Sequence, residues 1–196
     1  MLNNVYMDLT ELLRTRRTYR RFLQKEIPQR VIDEVLVSAT YASSAANLQP
    51  LRYIVIKTPM LVKNVAESVR WAAYLPRELG TPAAEAYPAL FVAVIQDMGI
   101  SKKCDVDVGL AISNMTLTAW SYSVGSCIIG SFNRDVMEKL LQLPENQTIH
   151  TLIAFGYPLH KSLLIEADNG DIKYSLNDDG DFVVPKRKVE EITHYL

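Results

Sequence analysis

At 196 residues, 48% of them apolar and 22% charged, the chain is long enough to bury a core without a disulfide or metal staple, and its composition is ordinary for a soluble globular protein. A formal net charge of −1 argues against general nucleic-acid or membrane-surface binding. Cys104 and Cys127 are too far apart for a CxxC redox or zinc motif, and Met1-Leu2-Asn3-Asn4 lacks a basic region followed by an apolar run, so a reducing cytoplasm is the expected compartment.

In chain order, Asp8-Leu9-Thr10-Glu11 predicts a capping box opening a short helix with Leu9, Leu12 and Leu13 on its apolar face. That helix ends near Arg16, where Arg16-Arg17-Thr18-Tyr19-Arg20-Arg21-Phe22 places four arginines and a hydroxyl in one short stretch. Guanidinium forks bind phosphate and carboxylate oxygens two at a time, so the cluster is either a solvated surface turn or an anion site. Cations near a helix C-terminus account for Arg14 and Arg16 more readily than for Arg20 and Arg21.

Pro28 opens a helix with Val31, Ile32, Val35, Leu36 and Ala39 as its buried stripe, fading near Ala42. The uncharged stretch Ser43-Ser44-Ala45-Ala46-Asn47-Leu48-Gln49-Pro50 follows, then a strand over Leu51 to Lys57. Leu61 to Leu75 is a helix candidate, Pro76 to Pro82 a loop, and Pro88 to Ile95 a central strand buried on both faces. Asp105 to Val124 is the longest helical pattern and is apolar nearly all round, which suits a domain centre or a subunit interface. Gly125 is expected to end it, ahead of a short buried strand or turn from Ser126 to Gly130. Asn133 caps a helix through Leu143, and Thr151 to Gly156 is another inner strand. The tail carries a turn at Asn177-Asp178-Asp179-Gly180, a strand at Phe182-Val183-Val184 and a second basic knot at Lys186-Arg187-Lys188, ahead of a short helix or arm over Val189 to Leu196. No linker or repeat divides the chain, so residues 1–196 are expected to form one domain.

Several chemistries lack their motifs. No G-x-G-x-x-G follows a strand, and Ser131 stands where a phosphate-binding loop needs lysine. His150, His160 and His194 fit no metal pattern and are expected at the surface or in hydrogen bonds; no metal is expected. No G-x-S-x-G accompanies Ser43 or Ser44, which alone form a helix-end loop. Cys127, Met115 and Trp120 are expected in the core.

Four features nonetheless stand in a fixed order: the arginine loop, the Ser-Ser-Ala-Ala-Asn-Leu-Gln-Pro turn before a strand, the long helix opening Asp105-Val106-Asp107-Val108-Gly109 and closing at Gly125-Ser126-Cys127-Ile128-Ile129-Gly130, and the basic knot near the end. This order resembles the FMN-dependent nitroreductase family over nearly the whole chain. The arginine loop is similar to that family's R-R-S-x-R, with Thr18 in the serine position, and the turn to its P-S-x-x-N-x-Q-P-W, with Ser43 in place of proline and Leu51 in place of tryptophan.

The resemblance implies an α+β fold, with a central mixed, mainly antiparallel sheet surrounded by helices, in an interleaved homodimer with FMN at the interface. It implies that Arg16 and Arg20 hold the FMN phosphate and ribityl end, with Arg17 and Thr18 presenting polar atoms. Ser43, Ser44, Ala45, Asn47 and Gln49 would approach from the other subunit; Ile128, Ile129 and Gly130 would line the ring; Lys186 and Arg187 would close on the phosphate. The implied activity is hydride transfer from NAD(P)H through flavin N5 to nitroaromatic, quinone or related acceptors, in alternating two-electron steps, with no protein acid or base required. The alternative is a flavin-binding redox sensor or flavin-consuming relative with little NAD(P)H turnover. Leu61 to Tyr87, which carries no recognisable motif, is expected to set the substrate pocket.

Overall fold

The computed structural model describes residues 8–196, so the expectation for Met1 to Asn4 lies outside the described residues. The sheet is built on the two most apolar strands. β3 (Leu90–Asp97) and β5 (Gln147–Pro158) pair antiparallel at its centre. β2 (Leu51–Ile56) lies antiparallel on the other side of β3, while β4 (Gly125–Ile129) and the two-residue β1 (Phe22–Leu23) both pair antiparallel with β5.

Side-chain alternation along β3 divides the core in two. Phe91, Ala93 and Ile95 face one cluster with Val62, Val65, Ala66 and Met137, which lie on α3 (Pro59–Ser68) and α6 (Arg134–Leu141). Leu90, Val92 and Val94 face the other, with Val31, Ile32 and Val35 of α2 (Gln29–Thr40) and Val108, Ile112 and Met115 of α5 (Asp105–Ser121). A period of two thus puts one continuous apolar run to work on both faces. α1 (Leu9–Thr15) packs on α5. A second sheet follows: β6 (Ser162–Glu166) pairs parallel with β8 (Phe182–Lys186), and β7 (Ser175–Leu176) pairs antiparallel with β8. The architecture is α+β, mainly antiparallel, as expected.

Four local expectations are corrected. Asp8 makes no side-chain cap, and Glu11 pairs with Arg14 at 2.6 Å instead of closing a capping box. The helix expected over Leu61 to Leu75 stops at Ser68, where Val69 bridges Phe132 and the Arg70 amide donates to the Ser131 carbonyl at 2.9 Å. The expected loop from Pro76 contains one helical turn, α4 (Arg77–Gly80). Gly125 does not end α5 by a left-handed turn. That conformation falls on Ser123 (φ 59°), and Gly125 opens β4, where an added Cβ would lie 2.7 Å from the Tyr19 ring. Asn133 does cap α6, its side chain accepting from the Val136 amide at 3.2 Å. Among the described residues no helix is long and apolar enough to cross a membrane.

Candidate functional site

The arginine segment is held by its aromatic residues. Tyr19 is buried and stacks on Trp120 with centroids 5.3 Å apart, and Phe22 is fully buried. The Tyr19 amide donates to the Ser126 carbonyl at 2.9 Å, Thr18 bridges Ser126 in parallel, and the Trp120 indole N–H donates to Thr15 at 2.8 Å. Around these anchors Arg16, Arg17, Thr18, Arg20 and Arg21 are half-buried. Arg16 and Arg17 are partly desolvated, which pulls both guanidinium pKa values down; for Arg17 the neighbouring charge of Arg16 adds to the effect. Among the described residues neither has an acidic partner. Two cations brought together at a burial cost with no carboxylate between them fit a bound dianion such as a phosphate. Arg17 also turns back on α1, donating to the carbonyls of Arg16 (2.7 Å) and Arg14.

Arg20 and Arg21 have different surroundings. The Arg20 Nε donates to the Trp71 carbonyl at 3.1 Å, and its guanidinium lies 4.6 Å from the Tyr174 ring centre and 4.7 Å from that of Phe182. Arg21 donates to the Gly180 carbonyl and its Nε is buried, so it is not the plain surface charge that its place in the cluster suggests. These two arginines fasten the tail sheet onto the main body.

His160 fills the gap between Tyr19 and Phe182, at 5.5 and 5.0 Å. Burial first, and the Arg21 charge second, push its pKa down to about 4. In the unfolded chain it titrates near 6.5, so its contribution to stability is complete above that pH and is lost as pH falls from there toward 4, by at most roughly 3 kcal/mol. Chemical denaturation at pH 7.5 and 4.5 is expected to show this loss in the wild type and a smaller one in His160→Phe. Equal losses in both proteins would remove His160 as the cause.

The Ser43 to Pro50 loop is fixed by a residue not singled out as a site residue. Asp107, buried in the first turn of α5, accepts from the Ser44 hydroxyl and from the Ala45 amide at 3.2 Å. Ser44 in turn accepts from the Gln49 amide at 2.9 Å. This clamp holds Ala46, Asn47 and Gln49 at φ of 49°, 54° and 51°, a conformation that costs a residue with a Cβ about 1 kcal/mol or more. The loop borders a shallow pocket of about 140 Å³ with Ser43, Ser44 and Gln49 in its wall. Asp107→Ala is expected to lower stability by about 2 kcal/mol in urea denaturation and to open residues 43–50 to proteolysis. An unchanged cleavage pattern would mean that the clamp is not what holds the loop.

Ile128 is exposed, Ile129 buried and Gly130 exposed, so β4 ends by offering Ile128 and backbone to solvent. Lys186 closes β8 and Arg187 follows it, both exposed. The fold therefore joins Arg16 to Arg20 with β4 through the Thr18–Ser126 bridge, and with the tail sheet that carries Lys186 through Arg20 and Arg21. It does not bring Ser43 to Gln49 to the same place in one chain. At 1.5 Å per residue, the part of α5 between Asp107, which holds that loop, and Trp120, which holds Thr15 and Tyr19, spans roughly 20 Å. Sequence reasoning missed Asp107, Trp71 and Tyr174. Only Asp107 gave a signal, a lone buried-side carboxylate in an otherwise apolar helix.

The nitroreductase family model matches residues 13–157, a span that begins on α1 and ends on β5. The chain belongs to the nitroreductase family. A relative from Archaeoglobus fulgidus, an inferred NADH dehydrogenase/NAD(P)H nitroreductase, is 28% identical over 166 residues, covering 83% of this chain and 92% of its own. Among solved structures, a Bacteroides thetaiotaomicron protein of the same inferred description superposes with a TM-score of 0.71 at 21% identity, over 95% of both chains. An FMN-dependent nitroreductase of Clostridium difficile gives 0.65 at 19% identity, over 94% of this chain and 96% of its own. Both superpositions extend past the family span to include the tail, so the second sheet is part of the shared fold.

Proposed function

We propose that this protein is an NAD(P)H-dependent FMN oxidoreductase: one flavin-binding domain over residues 1–196, working in the cytoplasm as a homodimer. The observation that carries the reading is the half-buried Arg16, which has no carboxylate partner among the described residues, in a segment that the Thr18–Ser126 bridge ties to β4, in a chain of this family. In this reading Arg16 and Arg20 bind the phosphate and ribityl end, with Lys186 and Arg187 approaching from the tail. Thr18 and Arg17 supply polar contacts. Ile128, Ile129 and Gly130 form a slot that suits a flat amphipathic ring. When bound, the flavin supplies hydride exchange at N5, between NAD(P)H and a nitroaromatic, quinone or related acceptor in turn. The chain's task is to bind and orient, and no acid or base need be found among its side chains.

The same geometry supports a dimer. Ser43, Ser44, Ala45, Asn47 and Gln49 sit at the far end of α5 from the arginine segment, so they reach the flavin of a second copy. α1, α2 and α5 pack against one another and leave Leu9, Leu13, Tyr41, Val106 and Leu110 exposed, Val106 at 74%. Large apolar side chains gathered on adjoining helices suit a subunit interface.

The test is an absorbance spectrum of purified protein, before and after anaerobic mixing with NADH and NADPH. Flavin absorbance that bleaches within seconds is expected. A colourless protein that cannot be loaded with FMN defeats the proposal, and a yellow one that neither nicotinamide bleaches points to a sensor or flavin-consuming relative instead.

A further inference from the structure

Where α3 stops at Ser68, the chain crosses to the turn that follows Gly130, and between the two lies a cavity of about 290 Å³. Its apolar wall includes Trp71, Leu75 and Phe132. Trp71 is buried and its indole N–H is already spent on the Ala66 carbonyl at 3.0 Å, so it offers the cavity a ring rather than a donor. The polar wall is cationic. Arg70 and Arg77 line it, and the single acid present, Glu67, lies 3.9 Å from Lys63 on its own helix. Among the described residues neither arginine has an ion pair, and the Arg70 guanidinium makes one long bond, to the Ala73 carbonyl at 3.3 Å. The cavity adjoins the candidate site on two sides: Ser131 is the residue after Gly130, and the Trp71 carbonyl receives Arg20.

Aromatic residues and two arginines without acidic partners, lining one cavity, suit a flat ring that carries an oxyanion. We propose that Arg70 and Arg77 make this cavity a binding site for a carboxylate- or phosphate-bearing substrate of the oxidoreductase. This rests on the functional reading above and adds the charge class of the substrate to it. Two molecules could bring such a group: an acidic acceptor, or the donor through a phosphate.

Benzoate and benzamide share a shape and differ in charge. Calorimetric titration of the wild-type protein is expected to show benzoate preferred by about tenfold, the preference vanishing in Arg70→Ala/Arg77→Ala and partly returning in Arg70→Lys/Arg77→Lys. Flavin content, read by absorbance on the same samples, is expected to stay unchanged. In turnover, a KM rise in the alanine variant for 4-nitrobenzoate but not nitrobenzene assigns the oxyanion to the acceptor. A rise for NADPH but not NADH assigns it to the donor. Equal benzoate affinity in wild type and alanine variant overturns the proposal. So does loss of flavin from the alanine variant, because the arginines would then serve the cofactor. Arginine-dependent benzoate binding in a protein that cannot be loaded with FMN would uphold the site while removing the functional reading.

Discussion

Replacing Arg16 and Arg20 together by alanine is expected to weaken FMN binding by roughly a hundredfold or more, since each charge-assisted hydrogen bond to a phosphate contributes about 1.5–3 kcal/mol. The single variants should differ in kind. The Arg16 guanidinium has no partner among the described ion pairs and hydrogen bonds, and its half-buried charge is relieved by removal, so Arg16→Ala should lose flavin while keeping or gaining thermal stability. Arg20 is bonded to Trp71 and lies against Tyr174 and Phe182, so Arg20→Ala should lose flavin and also loosen the tail sheet. Flavin fluorescence titration and thermal unfolding, run on both, separate the two effects. Stoichiometric flavin retained through purification of the double variant would falsify the phosphate role.

Gly156→Ala is expected to destabilise the protein by about 2–3 kcal/mol, at the upper end for overpacking a core. A Cβ on Gly156 would fall 2.8 Å from Cδ1 and 2.9 Å from both Cβ and Cγ of Phe22, whose ring is fully buried and cannot retreat. Gly125 has the same role on the neighbouring strand, where a Cβ would meet Tyr19 at 2.7 Å and Pro158 at 3.0 Å. These two glycines are the floor on which the arginine segment lies. A methyl group there lifts Tyr19 or Phe22 and with them the neighbouring arginines, so flavin affinity should fall along with stability. Phe22→Leu in the Gly156→Ala background should recover some of the loss, giving a favourable coupling energy in a double-mutant cycle read by urea denaturation. Strict additivity would mean that the ring is not what the methyl group meets.

Much of the scaffold is decided by local rules that the chain states openly. The apolar run at Leu90 to Ile95 has a length that suits a strand covered on both faces, and the two core clusters share its residues alternately. The α2 stripe at Val31, Ile32, Val35 and Ala39 and the Asn133 cap of α6 follow from periodicity and from one side chain's reach to a backbone amide. The apolar circumference of α5 was also legible: its inner side is core, and its outer side leaves Val106 and Leu110 uncovered. The order of the arginine loop, the serine turn and the glycine-bounded strand identified the family, and with it the residues around which a cofactor site is proposed.

Other features depend on groups that meet only after folding. Gly125 looks like a helix stop because glycine commonly is one, yet its lack of a side chain is required by Tyr19, more than a hundred positions away. Arg20 and Arg21 could not be told from their neighbours by sequence, because what distinguishes them is the aromatic and carbonyl surroundings supplied by Trp71, Tyr174, Gly180 and Phe182. The end of α3 at Ser68 is set by a bridge to Phe132, which no helix propensity near Val69 encodes, and the cavity between them exists only because of it. The sequence by itself thus determined the inner strands β2, β3 and β5, the helices α2, α5 and α6 and the family. Tertiary structure alone decided which arginines fasten the tail, because the carbonyls, rings and charges around a guanidinium are set by the fold rather than by its position in the chain.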